Sequence, residues 1–447
     1  MKCDVLVVGG GPAGVVAALT VKKNFPKKRV ALVKEHEKGL IPCGIPYVFG
    51  TLPNVESDCM PNRPLENAGI ELVFEAVERV SFKEKKAFTR AKKEIGYEKL
   101  IFATGSSPIR PPINGIGLEN VFFVEKSMQN IKKLKKAADK AGSITIIGGG
   151  FIGVELADEL NKKGKQVSIV ESGQHLLQQA FDQEFCKEAE KRIRQAGVKI
   201  YAGARAERIL GEKKVEGVRL SGRKGKKIKA GLVIVCVGAK PNSWLAESAG
   251  LALGKAGGVL VNEYMQTSEK DVFAIGDCAE KKSFFKSQAA NVMLASTAAS
   301  EARVAGNNLY KFRLIKQNKG TIAIFSTFVA GIGMGAAGLT EAEAKRKGFD
   351  YVVGKAMSKD THPGCLPDSN DLQVKMVFSR DSGVLLGCQA VGGKSVGELI
   401  NLAGFAIQSN STVSEIGTLQ IGTHPLLTSA PTTHPFVLAA EAAMEKI

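Results

Sequence analysis

Cys43 stands in the segment GLIPCGIPY, between prolines and glycines, with no second cysteine placed to pair with it as C-x-x-C. The thiolate is the competent nucleophile of a cysteine, and a helix N-terminus lowers the pKa at which it forms. Pro42 and Pro46 bracket a chain that reads as entering such a helix through Gly44. Cys43 is therefore the first candidate for covalent sulfur chemistry. A buried, inert cysteine is the alternative, and prolines and glycines would pack poorly around one. Cys3, Cys59, Cys186, Cys236, Cys278, Cys365 and Cys388 have no comparable setting; they form neither C-x-x-C nor a cluster with histidine, so no metal site is expected. Widely spaced thiols of this kind suit a reducing cytoplasm, and MKCDVLVVGGG runs straight into a glycine turn, so no signal peptide is expected.

A second kind of chemistry is written in glycines. Gly9, Gly11 and Gly14 make a G-x-G-x-x-G spacing, with Pro12 and Ala13 inside it, after the strand-like CDVLVV and before an alanine-rich stretch. The first glycine permits a tight turn, the second lets a pyrophosphate approach the backbone, and the third lets helix and strand pack closely. Lys34 follows the VALV strand directly and Glu35 comes next, so Glu35 is expected at the ribose, with Glu37 as the alternative. Gly148, Gly150 and Gly153 repeat the spacing after SITII; Phe151, Ile152 and Glu155 are counted with them as cofactor-contacting residues. Glu171 stands immediately after VSIV. A carboxylate there accepts a 2′-hydroxyl and repels a 2′-phosphate, and ESGQH supplies no arginine, so NADH is expected rather than NADPH. An exposed charge at the end of a strand is the other reading of Glu171.

These residues need elements to hold them. A chain of 447 residues is too long for one ordinary core, and each fingerprint sits in a strand–turn–helix–strand pattern, so two Rossmann-like dinucleotide-binding domains are expected. KLIFATGSSPIRPP and GLVIVCVGAKPN are apolar strands running into glycine and proline, which suits crossings between domains. From about Gly320 the pattern changes to strands joined by a hairpin signal and a mostly uncharged helical stretch from Val396 to Asn410, which suggests an α+β domain carrying helices on one face of a sheet. The boundaries expected are 1–112 with 243–319, 113–242, and 320–447.

The formal charge of +18 favours anionic ligands, but runs such as Lys132–Lys136 and Lys224–Lys227 are scattered and lack interleaved aromatics. They read as solvated faces, and nucleic acid is not the expected partner. Thr321 to Leu339 carries no charge and could span a bilayer by length alone. Gly331, Gly333, Gly335 and Gly338 crowd its second half, so a buried strand leading into a glycine-rich turn is expected instead, and no membrane segment.

Two Rossmann patterns, ATG between them, FAIGDCAE after them and a C-terminal α+β domain resemble the FAD-dependent pyridine nucleotide-disulfide oxidoreductases over the whole chain. The resemblance implies FAD in the first unit and the nicotinamide in the second, with Thr104 and Gly105 of the ATG motif and Gly238 lining the cofactors and Asp277 holding the ribityl chain. PCGIPY is most similar to the single-cysteine branch: coenzyme A disulfide reductases, NADH-dependent persulfide or polysulfide reductases, and NADH oxidases. In that branch the cysteine matched by Cys43 lies beside the flavin and forms a mixed disulfide or a sulfenic acid; a two-cysteine relative would place a partner at the position of Val48.

Four departures from the branch stand out. Gly39 replaces a serine common four residues before the cysteine, Pro12 replaces the histidine of the peroxidase and several oxidases, and Phe151 replaces a gating tyrosine. The tail GTHPLLTSAPTTHPFVLAAE lacks the tyrosine of coenzyme A disulfide reductases; His424 and His434 loosely resemble the histidine–proline segment that two-cysteine reductases insert across their dimer as a general acid. Either could equally be a surface loop residue. The expectation is a homodimeric FAD- and NADH-dependent reductase of a low-molecular-weight disulfide, persulfide or polysulfide, coenzyme A disulfide included. An NADH oxidase, or a basic flavoprotein that binds nucleic acid or a protein partner, are the alternatives. Arg63 would suit coenzyme A phosphates, or be an exposed loop arginine.

Overall fold

The computed structural model describes every residue except 223, 224, 287, 291 and 314–317, so Lys224 of the KGKK run lies outside the described residues. The chain divides into two compact units, one of residues 1–110, 124–136 and 238–321 and one of residues 111–123, 137–237 and 322–447.

The first unit is built on a five-stranded parallel sheet in the order Val272–Ala274, Lys99–Phe102, Val5–Val8, Val30–Lys34, Glu71–Phe74. Parallel strands covered on both faces read as continuous apolar runs, and Val5, Leu6, Val7, Leu32, Leu100 and Ile101 are all fully buried. Each such side chain contributes about 1.5–3 kcal/mol by leaving water. The helix Pro12–Asn24 returns from the first strand and packs against the helix Ala295–Asn308. Pro12 occupies the first helical turn, where its missing N–H costs nothing.

In the second unit a parallel sheet of the order Val121–Phe123, Leu232–Val235, Ser143–Ile147, Gln166–Val170, Lys199–Tyr201 repeats the architecture, with the helix Phe151–Lys162 following its second glycine turn. The same unit contains a five-stranded antiparallel sheet, Phe325–Val329, Ile332–Gly338, Leu385–Gly392, Asp371–Ser379, Tyr351–Lys359. The helices Val396–Gln408 and Pro435–Met444 pack on it: Gly335 gives way to Ile400 and Gly354 to the Ala439 carbonyl, and the strand register puts both glycines on one face.

The uncharged Thr321–Leu339 segment is a hairpin. Val329 pairs with Ile332 across Ala330 and Gly331, both with positive φ, as a two-residue turn of this hand requires. The glycine-rich turn expected from the sequence is therefore shorter: Gly333 and Gly335 lie within the second strand, because the Gly393 carbonyl and Ile400 leave no room for a side chain. Among the described residues no helix is long and apolar enough to cross a membrane.

The two glycine turns share one construction. A methyl group at Gly14 would run into the Gly9 carbonyl, and one at Gly9 into the Ala103 carbonyl; Gly153, Gly148 and Cys236 repeat the arrangement. Gly14→Ala should therefore cost about 1–3 kcal/mol by overpacking. A thermal melt and the flavin content of the purified variant check this, and an unchanged melting point would show that the turn yields freely.

Candidate active site

The chain leaves the second strand of the first unit at Lys34 and forms a small antiparallel ladder, Gly39–Leu40 against Cys59–Met60. Gly39 faces back toward the fingerprint turn: a methyl group there would come within 3.9 Å of the Gly10 carbonyl and 3.6 Å of the Met60 methyl. Beyond the ladder, Gly44 N–H donates to the Ile41 carbonyl at 2.9 Å, closing a tight turn around Pro42 and Cys43. Cys43 is exposed on this turn and in no disulfide. The helix that follows, Ile45–Phe49, is a five-residue 3₁₀ helix rather than the α-helix the prolines suggested. Among the other cysteines, burial pushes the thiols of Cys3, Cys186, Cys236 and Cys388 up to about 12, and raises that of Cys278, which takes them out of thiolate chemistry.

At the first fingerprint, Gly9 has φ +117°, Gly11 opens the helix without a side-chain cap, and a methyl group at Gly11 would meet nothing within 4 Å. Ala13 and Gly14 are buried beneath. The helix N-terminus thus presents unsatisfied N–H groups to open space. Gly9 N–H donates to the Val33 carbonyl at 2.8 Å, so Lys34 occupies the register of an acidic ribose ligand and Glu35 lies one residue beyond. Lys34 is buried, donating to Asn62 Oδ1 and the Glu37 carbonyl, while Glu35 pairs with Arg90 at 3.1 Å.

Thr104 and Gly105 are locked to Asn242, a residue that sequence reasoning missed. Thr104 Oγ1 donates to its carbonyl, its side-chain amide donates to the Thr104 carbonyl, and its N–H donates to the Gly105 carbonyl. Only the PN dipeptide hinted at it. Asp277 follows Gly276 (φ +69°), and its Oδ2 accepts from Ser106 Oγ at 2.7 Å and pairs with Lys126 at 3.2 Å. Gly276 is itself clamped: its N–H donates to Glu301, and its carbonyl and Glu301 both accept from the buried Lys281. Gly238 (φ +109°) accepts from Ile109 N–H. Arg63 is exposed at the start of the short helix Arg63–Asn67.

In the second unit Gly148 has φ +114°, and Gly150, like Gly11, has open space where a side chain would be. Glu171 bends back over this turn: one oxygen accepts from Gly149 N–H at 2.7 Å, the other from Gly173 N–H at 2.5 Å. Its exposure is only partial, as a carboxylate built into the turn requires. Phe151 stacks on Phe325 with ring centroids 5.2 Å apart, and Ile152 beside it is 48% exposed. Glu155 accepts from Thr327 Oγ1 at 2.7 Å, and burial, outweighing that bond, pushes its pKa up to about 7. The two tail histidines separate. His424 is exposed, and its Nδ1 accepts from Leu426 N–H; His434 is 6% exposed, its Nδ1 without a partner and its basicity lowered by burial.

Residues 3–302 match the family described as pyridine nucleotide-disulphide oxidoreductase, and residues 324–435 match its dimerisation domain. The chain belongs to this family. Among curated relatives it is similar to the NAD(P)H coenzyme A polysulfide/persulfide reductase of Pyrococcus horikoshii, at 32% identity over 88% of each chain. It is 30% identical to the NADH oxidase of Methanocaldococcus jannaschii, over 99% of each. Among solved structures, the NAD-dependent persulfide reductase from A. fulgidus superposes with a TM-score of 0.92 at 28% identity, over all of this chain and 83% of that one. As a pyridine nucleotide-disulphide oxidoreductase, the protein is a flavoenzyme that takes its electrons from a nicotinamide dinucleotide.

Glu171, held at the mouth of the second glycine turn, generates a test of nicotinamide choice. A neutral residue at 171 together with Ser172→Arg should move the NADH to NADPH preference in kcat/KM by about one to two orders of magnitude, the size of a lost hydrogen bond to a charged group. An unchanged ratio removes Glu171 from the ribose site.

Proposed function

We propose that this pyridine nucleotide-disulphide oxidoreductase is a homodimeric, cytoplasmic, NADH-dependent reductase of a low-molecular-weight disulfide, persulfide or polysulfide, working through Cys43. The observation that carries the reading is the placement of an exposed Cys43 on a turn whose ladder backs onto the Gly10 carbonyl of the first glycine turn. The FAD domain is assigned to residues 1–112 with 243–319, the nicotinamide domain to 113–242 and the dimerisation domain to 320–447. The uncovered backbone N–H groups after Gly11 and Gly150 fit the two pyrophosphates. Asp277, oriented by Ser106 and Lys126, suits the ribityl hydroxyls, and Glu171 suits the ribose of the nicotinamide dinucleotide, whereas Glu35, one residue past the ribose register and paired with Arg90, does not suit the ribose of FAD. Persulfide reductase relatives and the scattered cysteines support the substrate class and the compartment.

When bound, FAD would relay the electron pair of NADH to sulfur. The chain's own part is covalent. The Cys43 thiolate attacks one substrate sulfur, the sulfur–sulfur bond breaks, and the first thiol departs with a proton; reduction of the resulting mixed disulfide returns Cys43 and releases the second. Polar residues exposed on the dimerisation domain then have a use as proton donors. Of the two tail histidines, the exposed His424 is the one proposed for protonating a departing thiolate, while His434 is held inside its own domain.

An oxidase reading has support in the name of the Methanocaldococcus jannaschii relative. It would cycle Cys43 through a sulfenic acid. Pro12, where several oxidases carry histidine, counts against it.

Cys43→Ser should retain FAD and its reduction by NADH in a single turnover, while anaerobic turnover of coenzyme A disulfide, persulfides and polysulfide falls by about three orders of magnitude or more. Normal turnover in the variant would overturn the role of Cys43, and rapid oxygen consumption by the unmodified enzyme with no sulfur turnover would establish the oxidase.

His424→Ala should lower sulfur turnover by about 10²-fold, leaving the melting temperature unchanged. Unaltered turnover would exclude His424.

A further inference from the structure

The turn that carries Cys43 is closed on its inner side by a carboxyl group for which the proposed chemistry has no role. Ile41 N–H donates to the Asp58 carbonyl at 2.9 Å and Leu40 pairs with Cys59, so the strand Cys59–Met60 runs beside the chain entering the turn. Gly44, the residue after Cys43, leaves the room that the Asp58 carboxyl fills: a methyl group there would collide with Oδ1. Asp58 is 2% exposed, and its Oδ2 has no hydrogen-bond partner. Burial alone pushes its pKa up to about 6.

Among the described residues no donor reaches its Oδ2 and no cation offsets its burial. Glu56, on the same short helix Val55–Asp58, is the residue that draws Lys132 and Lys38. The helix Ile45–Phe49 packed against it carries no charge and offers only the phenol of Tyr47, and the adjoining strand offers the Cys59 thiol. Cys43 is a further titratable group of the turn, next to the glycine that Asp58 abuts. A carboxyl oxygen buried without a partner lowers stability, so its presence against a reactive turn calls for a chemical use.

We propose that Asp58 is a positioning residue that governs the pH at which the Cys43 thiol releases its proton. The proposal rests on the reading of Cys43 as the reacting sulfur. With Asp58 protonated, the neighbouring thiol ionises at lower pH and its sulfur is the better leaving group. With Asp58 ionised, the like charge holds the thiol proton to higher pH, and the thiolate that forms is the stronger nucleophile. Thiol–disulfide exchange uses the same sulfur first to attack and then to leave, so a carboxyl that titrates just below neutrality biases both steps. It consumes no proton of its own: the one lost by Cys43 leaves on the first thiol.

The test is the alkylation rate of Cys43 by iodoacetamide in the FAD-loaded enzyme, followed on the Cys43 peptide by mass spectrometry from about pH 5 to about pH 10. The wild-type curve should show an inflection near pH 6 in addition to that of Cys43. Asp58→Asn should abolish the first inflection and move the second down by about one pH unit, the effect of removing one neighbouring charge. Asp58→Glu, which keeps the charge, should restore two steps. A wild-type curve that follows a single ionisation, or superimposable curves for wild type and Asp58→Asn, would overturn the proposal; should the asparagine variant fail to fold, the wild-type curve decides alone. Alkylation requires no turnover, so this outcome is separate from that of Cys43→Ser.

Discussion

Two backbones in this protein approach one another more closely than any side chain would allow, and they do so twice. Gly14 sits on the Gly9 carbonyl and Gly9 on the Ala103 carbonyl; Gly153, Gly148 and Cys236 do the same in the second unit. Because the helix is drawn so tightly onto the strand, its N-terminal N–H groups, which lack intrahelical partners, lie beside the open positions at Gly11 and Gly150. An anion-binding end is thereby created by removing Cβ atoms. Everything that touches a cofactor phosphate in the proposed reading depends on those vacant positions.

The neighbouring segments are fastened to this construction by polar groups buried at some expense. Glu301 and Lys281, both almost fully buried, hold the Gly276 turn from its two sides and so set where Asp277 points. In the second unit Lys375 lies 1% exposed among Asp182, Glu184 and Glu341, with Gln389 completing the cluster. Burial works to lower the Lys375 pKa, yet the carboxylates outweigh it and hold the ammonium charged. Removing one partner of such a group strands the other, at about 3–5 kcal/mol. That penalty is comparable to a sizeable part of a domain's net stability.

Cys43 is treated differently from five of the other cysteines by the physics of its surroundings. Cys3, Cys186, Cys236, Cys278 and Cys388 are kept protonated by desolvation, whereas Cys43 is presented to solvent by a turn made of prolines and glycines. The turn is narrow because Gly44 is in contact with Asp58, and it is aimed because Gly39 backs onto the Gly10 carbonyl. Chemistry and cofactor cradle are thus linked through a few glycine contacts within one unit.

What the sequence determined by itself was local. The spacing of Gly9, Gly11 and Gly14, and its repetition from Gly148, is a statement about one turn and one helix, and short-range sterics make it readable. The isolation of Cys43 among prolines and the switch to hairpin-forming strands after Gly320 are legible for the same reason. The tertiary structure decided whatever depends on register or on partners distant along the chain. One residue of register puts Lys34 where Glu171 stands in the other unit and sends Glu35 to Arg90. The uncharged hairpin places its glycines in a strand because a helix presses on them. His434 looks like His424 as a histidine–proline pair, yet the packing of the helix Pro435–Met444 buries it. Asp58 behind Gly44 has no sequence signal of its own and Asn242 behind Thr104 only a PN dipeptide, because their roles arise from contacts between segments that only folding brings together.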